Sequence, residues 1–310
     1  MLASLLTVLP IFALVATGWL AARLKALGPE ATRELNRFVV YLALPALLFG
    51  IMARSEPAEI WQPGFILAFL VGTGIVFGLV LWLRLRRGEG LAAATVDALS
   101  ASYPNTGFMG FPLAAALFGE IGLAPTLVAA ILTACVLFGF ALVLMAFAKR
   151  DRQRSPILAL VSVLKSPLLV APALGAVVML SGWSLPEPVD DFVTLLGAAA
   201  SPCALVTLGL FLAQSQGAGA DGTGRRIGEI VGLKLIVQPA LTFLVAGPIL
   251  GLPAHLVALA VILAGLPTGT GPFMLAELHG QGQRIAAGAL LYSTLASVLL
   301  LPLLMVVLGV

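Results

Sequence analysis

Between Ser102 and Pro112 the chain packs two prolines (Pro104, Pro112), two glycines (Gly107, Gly110) and the polar side chains of Ser102, Tyr103, Asn105 and Thr106 into an otherwise apolar run, from about Leu91 to Leu117. Proline removes a backbone donor and clashes with the carbonyl one turn back, and glycine weakens a helix entropically. A continuous helix is therefore not expected here. The surroundings make that break expensive: of the 310 residues, 60% are hydrophobic and 10% charged, against about 25% charged in a typical soluble domain. One soluble core cannot hide so much apolar surface, so lipid must be much of the solvent. Non-helical backbone at membrane depth is tolerated where it is buried in protein or lines a polar cavity. The break is thus the first candidate for a substrate site.

Ten hydrophobic segments can be marked, each near the ~20 residues that cross about 30 Å of hydrocarbon. They run from about Leu2 to Ala22, Asn36 to Met52, Pro63 to Leu83, Leu91 to Leu117 and Leu123 to Ala148, then from about Ser166 to Trp183, Phe192 to Ala213, Ile227 to Leu250, His255 to Leu278 and Ile285 to Val310. The fold class expected is an all-α polytopic membrane protein. Residues 1–148 form a first five-helix repeat, 149–165 a cytoplasmic connector with an interfacial helix over Ser155 to Lys165, and 166–310 a second repeat. No basic residue precedes the first apolar run, so it reads as a membrane span and not as a cleaved signal peptide. The glycine-rich stretch from Gln214 to Gly224 lacks the Gly-Lys-Ser/Thr ending of a phosphate loop and reads as a flexible linker.

Basic residues fix the orientation. Arg23, Lys25, Arg33 and Arg37 follow span one, Arg84, Arg86 and Arg87 follow span three, and Lys149, Arg150, Arg152 and Arg154 follow span five. Arg225 and Arg226 follow span seven, and Arg284 follows span nine. The opposite face carries Arg54 and the acidic Glu56, Glu59, Glu120, Glu187, Asp190 and Asp191. The odd-to-even loops are therefore cytoplasmic and both termini face outside. The net charge of +3 is then an orientation signal and a contact with anionic lipid. It is not a nucleic-acid surface, which would need a soluble basic face. Cys135 and Cys203, and His255 and His279, are isolated from any metal-ligand spacing, so no metal or cofactor is expected.

The two halves share phrases. Ala43 to Leu48, with Pro45, resembles Ala200 to Val206, with Ser201 and Pro202. The break of span four recurs in span nine as Gly265, Leu266, Pro267, Thr268, Gly269, Thr270, Gly271, Pro272, Phe273 and Met274. With five spans per half the halves would be inverted, and paired interrupted spans at matching positions point to a transport site. Each second half-helix would present free N–H groups and about half a positive charge at its start. If the breaks cross at mid-membrane, these ends converge and favour an anion such as a carboxylate. Pro104, Asn105, Thr106, Gly107, Pro267, Thr268, Gly269, Thr270 and Gly271 are the expected substrate-binding residues, with threonine and asparagine supplying hydrogen bonds and the glycines close backbone approach. Pro45, Asp97, Ser201, Pro202, Gln238 and Glu277 are candidates for substrate contact or coupling, since ionisable and polar groups at depth are costly. Lys234, also inside a span, is expected to snorkel to the cytoplasmic surface.

Asn36 to Phe49, through Leu44 and Pro45, resembles the second-span signature of the auxin efflux carrier family, and Asn105 to Leu113 resembles its fourth-span motif. Lys165 to Gly175 is similar to its sixth-span entry, with Ser166 and Pro167 where Asn-Pro is usual. Ser201 to Leu205 and Leu266 to Thr270 complete the pattern. The resemblance implies ten helices in a 5+5 inverted repeat, with broken, crossing helices four and nine that bind an organic anion. The loop between the halves is short, as in bacterial members described as malonate or malate permeases, so the resemblance implies a bacterial inner membrane with periplasmic termini and a cargo other than auxin.

The expected function is a secondary transporter of a small organic anion, a mono- or dicarboxylate, working by alternating access. Proton or sodium coupling, as in symporters and antiporters of the bile-acid-symporter-like fold, is left open, as are an anion channel and a homodimer. An intramembrane enzyme would need a catalytic His, a Ser/Lys dyad or an Asp pair at depth, and none converges in the sequence.

Overall fold

The computed structural model describes residues 2–28, 30–148, 161, 164–214 and 223–310. The basic connector from Lys149, most of the expected interfacial helix and most of the glycine-rich linker lie outside the described residues. The described chain is helical, without a strand. In the first half, α1 (Leu2–Arg23) is followed by α2 (Ala31–Phe38), α3 (Leu44–Arg54), the single turn α4 (Pro57–Ile60) and α5 (Pro63–Arg86). Then come α6 (Leu91–Ser102), α7 (Phe111–Phe118), α8 (Leu123–Ile131) and α9 (Phe138–Ala148). The second half holds α10 (Pro167–Ser181), α11 (Glu187–Ala198), α12 (Ala200–Gln214), α13 (Gly224–Gly232) and α14 (Gln238–Leu244). It ends with α15 (Ala254–Ala264), α16 (Gly271–His279) and α17 (Gln283–Leu308).

Several of these are pieces of one rod joined by a π-helical turn, as at Val39–Ala43 before α3, Thr106–Gly110 before α7 and Leu233–Val237 before α14. In all three a proline (Pro45, Pro112 or Pro239) stands two residues beyond the turn. Its missing N–H and its clash with the preceding carbonyl are relieved by a locally wider turn. Counted as continuous rods, seven helices among the described residues are long and apolar enough to cross a membrane. Leu91–Ser102, Pro167–Ser181 and Ala254–Ala264 are apolar but shorter. Two of these three are the first halves of the segments expected to break.

The helices pack in two groups. Around α3 and α12 gather α1, α10 and α11, while α5, α6, α9 and α13 to α17 pack on one another. Small residues allow the tightest crossings: Gly175 of α10 lies against the backbone of α3, where a Cβ would meet Phe49 O at 2.7 Å. A core of Val8, Phe65, Phe69, Leu113, Leu205 and Leu263 joins the groups. Outward positions such as Leu180, Leu195, Leu299 and Val307 are apolar and exposed, which suits a lipid-facing surface.

Candidate functional site

Both expected breaks are present, and they meet. α6 ends at Ser102 and the chain resumes as helix at Thr106, while α15 ends at Ala264 and the chain resumes at Gly271. Between them Pro104 and Thr268 form an isolated antiparallel bridge. The Asn105 N–H donates to Pro267 O at 2.9 Å, and the Gly269 N–H to Tyr103 O at 3.0 Å. Pro104 and Pro267 occupy positions from which no bridge donor is required, so the rings interrupt each helix without leaving the bridge short of a hydrogen bond.

The carbonyls freed where the first half-helices end are also accounted for. Ser100 O accepts from Thr268 Oγ1 at 2.9 Å. Ser102 O accepts from Gln238 Nε2 at 3.2 Å, and the same amide nitrogen reaches Thr73 Oγ1 at 3.2 Å. Ala264 O accepts from Lys234 Nζ at 2.6 Å. Lys234 is fully buried, so the snorkelling expected from its sequence position does not occur. The carbonyl end of α15 offers its Nζ a partner inside the protein, which the span boundary alone could not reveal.

At the starts of the second half-helices the donors outnumber the acceptors. The first helical bonds after the break run from Met109 N and Gly110 N to Asn105 O, and from Met274 N to Thr270 O. The amides of Gly107, Phe108, Gly271 and Phe273 thus belong to first turns, which lack intrahelical acceptors. Beside them lies a cavity of about 280 Å³ lined by residues of both breaks: Tyr103, Pro104, Asn105, Thr106 and Gly107 from one, Thr270 and Gly271 from the other. Asn105 is 4% exposed, and its amide nitrogen is buried without a hydrogen-bond partner.

Six of the expected binding residues therefore line one cavity, and Pro267, Thr268 and Gly269 do not. Thr268 spends its hydroxyl on Ser100 O and its amide on Ser293 Oγ, 3.0 Å away. Gly269 and Gly271 make room for the Tyr103 ring, whose atoms a Cβ would meet at 2.9 and 2.6 Å respectively. Their close approach is to a side chain of the other break. Tyr103 also stacks edge-on to Phe138, centroids 6.2 Å apart.

The remaining candidates are scattered. Pro45 follows Leu44, which lines the cavity, whereas Ser201 and Pro202 sit in the first turn of α12 away from it. Glu277 lines a second cavity of about 520 Å³ with Glu30, Arg33 and Asn36, which shares Thr270 and Met274 with the first. Asp97 points into an ion cluster. Arg84 Nε is 2.9 Å and Arg226 Nε 2.6 Å from its Oδ2, with Glu89 bonded to Arg226 and Glu229 3.2 Å from Arg84. That cluster ties α5, α6 and α13 together, and no charged side chain in it lines the 280 Å³ cavity. Sequence reasoning missed the cavity's apolar wall, including Val40, Leu44, Phe108, Phe111, Ile131 and Phe138. In a chain this apolar such residues carry no signal of their own.

A family model described as a membrane transport protein matches residues 3–305. A putative malonate transporter of Rhizobium meliloti (strain 1021) is 33% identical over 296 residues, covering 94% of this chain and 91% of that one. An uncharacterized transporter, YfdV, of Escherichia coli (strain K12) is 27% identical over 305 residues, covering 95% and 94%. Auxin efflux carrier component 8 of Arabidopsis thaliana is 25% identical, covering 92% of each chain. With its membrane-length helices and this match over nearly its whole length, the chain belongs to the membrane transport protein family of the auxin efflux carriers, whose members are transporters and not enzymes.

Proposed function

We propose that this protein is a secondary transporter that carries a small organic anion bearing a carboxylate across the bacterial inner membrane by alternating access. One observation carries the reading: the buried, unpartnered amide nitrogen of Asn105, at a cavity bordered by the starts of two half-helices. A buried donor left unpaired costs about 1–3 kcal/mol. Helix starts add partial positive charge, so an anionic acceptor is the ligand that repays both. Such a site holds a carboxylate by dipoles and amides, firmly enough to select it and weakly enough to release it. The name of the Rhizobium relative, a putative malonate transporter, supports a carboxylate cargo.

In this reading the chain crosses the membrane ten times as two inverted five-helix repeats, 1–148 and 166–310. The broken spans four and nine cross at the Pro104–Thr268 bridge, and the Lys and Arg distribution supports periplasmic termini. The test is flux into proteoliposomes of the purified protein, using a panel of carboxylates with and without imposed pH and sodium gradients. Saturable uptake of at least one carboxylate is expected. Conductance that does not saturate with the anion would replace the carrier by a channel.

A further inference from the structure

We propose that Lys234 is the proton-binding group that couples anion transport to the proton gradient; this rests on the carboxylate-carrier reading above. Lys234 is fully buried in the π-helical turn before α14, and its Nζ donates to Ala264 O at the carbonyl end of α15. About one turn further on, Gln238 Nε2 donates to Ser102 O at the carbonyl end of α6. One stretch of the chain thus holds the ends of both interrupted helices. Ala264 stands three residues before Pro267, whose carbonyl accepts from Asn105 N, and Ser102 adjoins Tyr103 on the cavity wall. Gln238 Oε1 is buried without a hydrogen-bond partner. An ammonium has three N–H donors, so a proton added at Nζ has an unused acceptor about one turn away.

Among the described residues no carboxylate pairs with Lys234. On α6, which packs against its turn, Asp97 is held by Arg84 of α5 and Arg226 of α13. On α13 itself, Glu229 lies 3.2 Å from Arg84 and 3.4 Å from Arg225. The other charged or titratable side chains on the helices around the turn point elsewhere: Arg86 of α5 sits over the Trp82 ring, while Arg284 and Tyr292 of α17 and His255 at the far end of α15 are exposed. A proton on Nζ at this depth is costly without a counter-charge. A carboxylate in the cavity brings that charge to the same crossing, and by linkage each ligand then strengthens the other equally. The proton enters from water with the anion and returns from Nζ to water when the anion leaves.

The experiment begins with equilibrium binding to the full-length protein in lipid nanodiscs between pH 7 and pH 9.5. The probes are malonate, succinate and lactate, all fully ionised in that range. The dissociation constant of a probe that binds should rise with pH, by about ten-fold per unit over the steepest part, as one proton taken up per anion requires. Lys234→Met and Lys234→Arg should flatten that dependence, since the first cannot gain a proton and the second cannot release one. A role confined to holding Ala264 O would lower the melting temperature of Lys234→Met and leave the pH dependence in place. In proteoliposomes with the membrane potential clamped, pH 7 outside and pH 8 inside should accumulate the bound probe up to about ten-fold, and Lys234→Arg should exchange it without accumulation. Wild-type protein labelled with [15N]lysine gives a readout that needs no variant: near the midpoint of the pH curve, the probe should convert one lysine Nζ from amine to ammonium. Wild-type binding that is flat with pH, no lysine converted by a bound probe, or accumulation driven by sodium at equal pH overturns the proton assignment while the carboxylate-carrier reading stands. A pH dependence that survives in both Lys234 variants gives the proton to another group and overturns it as well. No binding of any probe, together with no flux of any carboxylate, overturns both readings.

Discussion

Gly18 and Gly209 sit face to face where α1 crosses α12: a Cβ on Gly18 would lie 2.0 Å from Val206 O, and one on Gly209 would lie 2.0 Å from Val15 O and 3.0 Å from Gly18 Cα. The obstacles are backbone atoms, which cannot rotate away. Gly18→Ala should therefore push the helices apart and cost at least the 1–3 kcal/mol typical of an overpacked core. A fall in the melting temperature of the detergent-purified protein checks this. Gly74→Ala in α5, where a Cβ meets nothing within 4 Å, is the control, expected to be neutral or stabilising by up to about 1 kcal/mol.

Asn105→Ala should leave the fold nearly unchanged and remove the function. Its backbone bond to Pro267 survives the substitution, and the side-chain nitrogen it deletes has no partner to lose. A hydrogen bond to a charged ligand is worth about 1.5–3 kcal/mol. Binding of the transported anion should weaken about ten- to hundred-fold at an unchanged melting temperature. Undiminished transport by the variant would remove Asn105 from the site.

Thr268→Val tests the bridge. It keeps the shape and deletes the Oγ1 bond to Ser100 O, leaving a buried carbonyl unpaired. A loss of about 1–3 kcal/mol is expected. It should appear as a lower melting temperature, with any transport loss following from the displaced break and not from a lost ligand contact. Equal melting temperatures for variant and parent would contradict this account.

The two kinds of ion pair should behave oppositely. Asp97 is fully buried between Arg84 and Arg226, so Asp97→Asn removes the carboxylate that the two guanidiniums share, leaves them only Glu229 and Glu89, and should cost up to about 3–5 kcal/mol. A lower melting temperature of the detergent-purified variant, little altered by salt, is the expected readout. Arg54 and Asp190, 2.7 Å apart, are 44% and 39% exposed. Arg54→Ala should cost less than about 1 kcal/mol, and that difference should shrink further in high salt.

Much of this was legible before any coordinates. Prolines at 104 and 267 with adjacent glycines marked both breaks to within a few residues, because a missing donor and a forced φ act locally whatever surrounds them. Apolar run lengths placed the long helices similarly well. The span boundaries Leu2, Pro63 and Leu91 were reproduced at the residue. The roles of individual polar residues were not legible. Thr268 and Thr270 look equivalent in sequence, yet one hydroxyl holds Ser100 O and the other residue borders the cavity.

What the sequence by itself determined is therefore the set of segments that belong in lipid and the two places where a helix cannot continue, since hydropathy and backbone chemistry are properties of neighbours in the chain. Tertiary structure decided which groups meet. Lys234 finds Ala264 thirty residues on, Asp97 finds Arg226, and Tyr103 rests on Gly269 and Gly271. In a helical bundle the face a residue presents depends on crossing angle and rotation, which a few tight glycine contacts fix and no local pattern encodes. The same process leaves the side-chain nitrogen of Asn105 buried at the crossing without a partner in the protein.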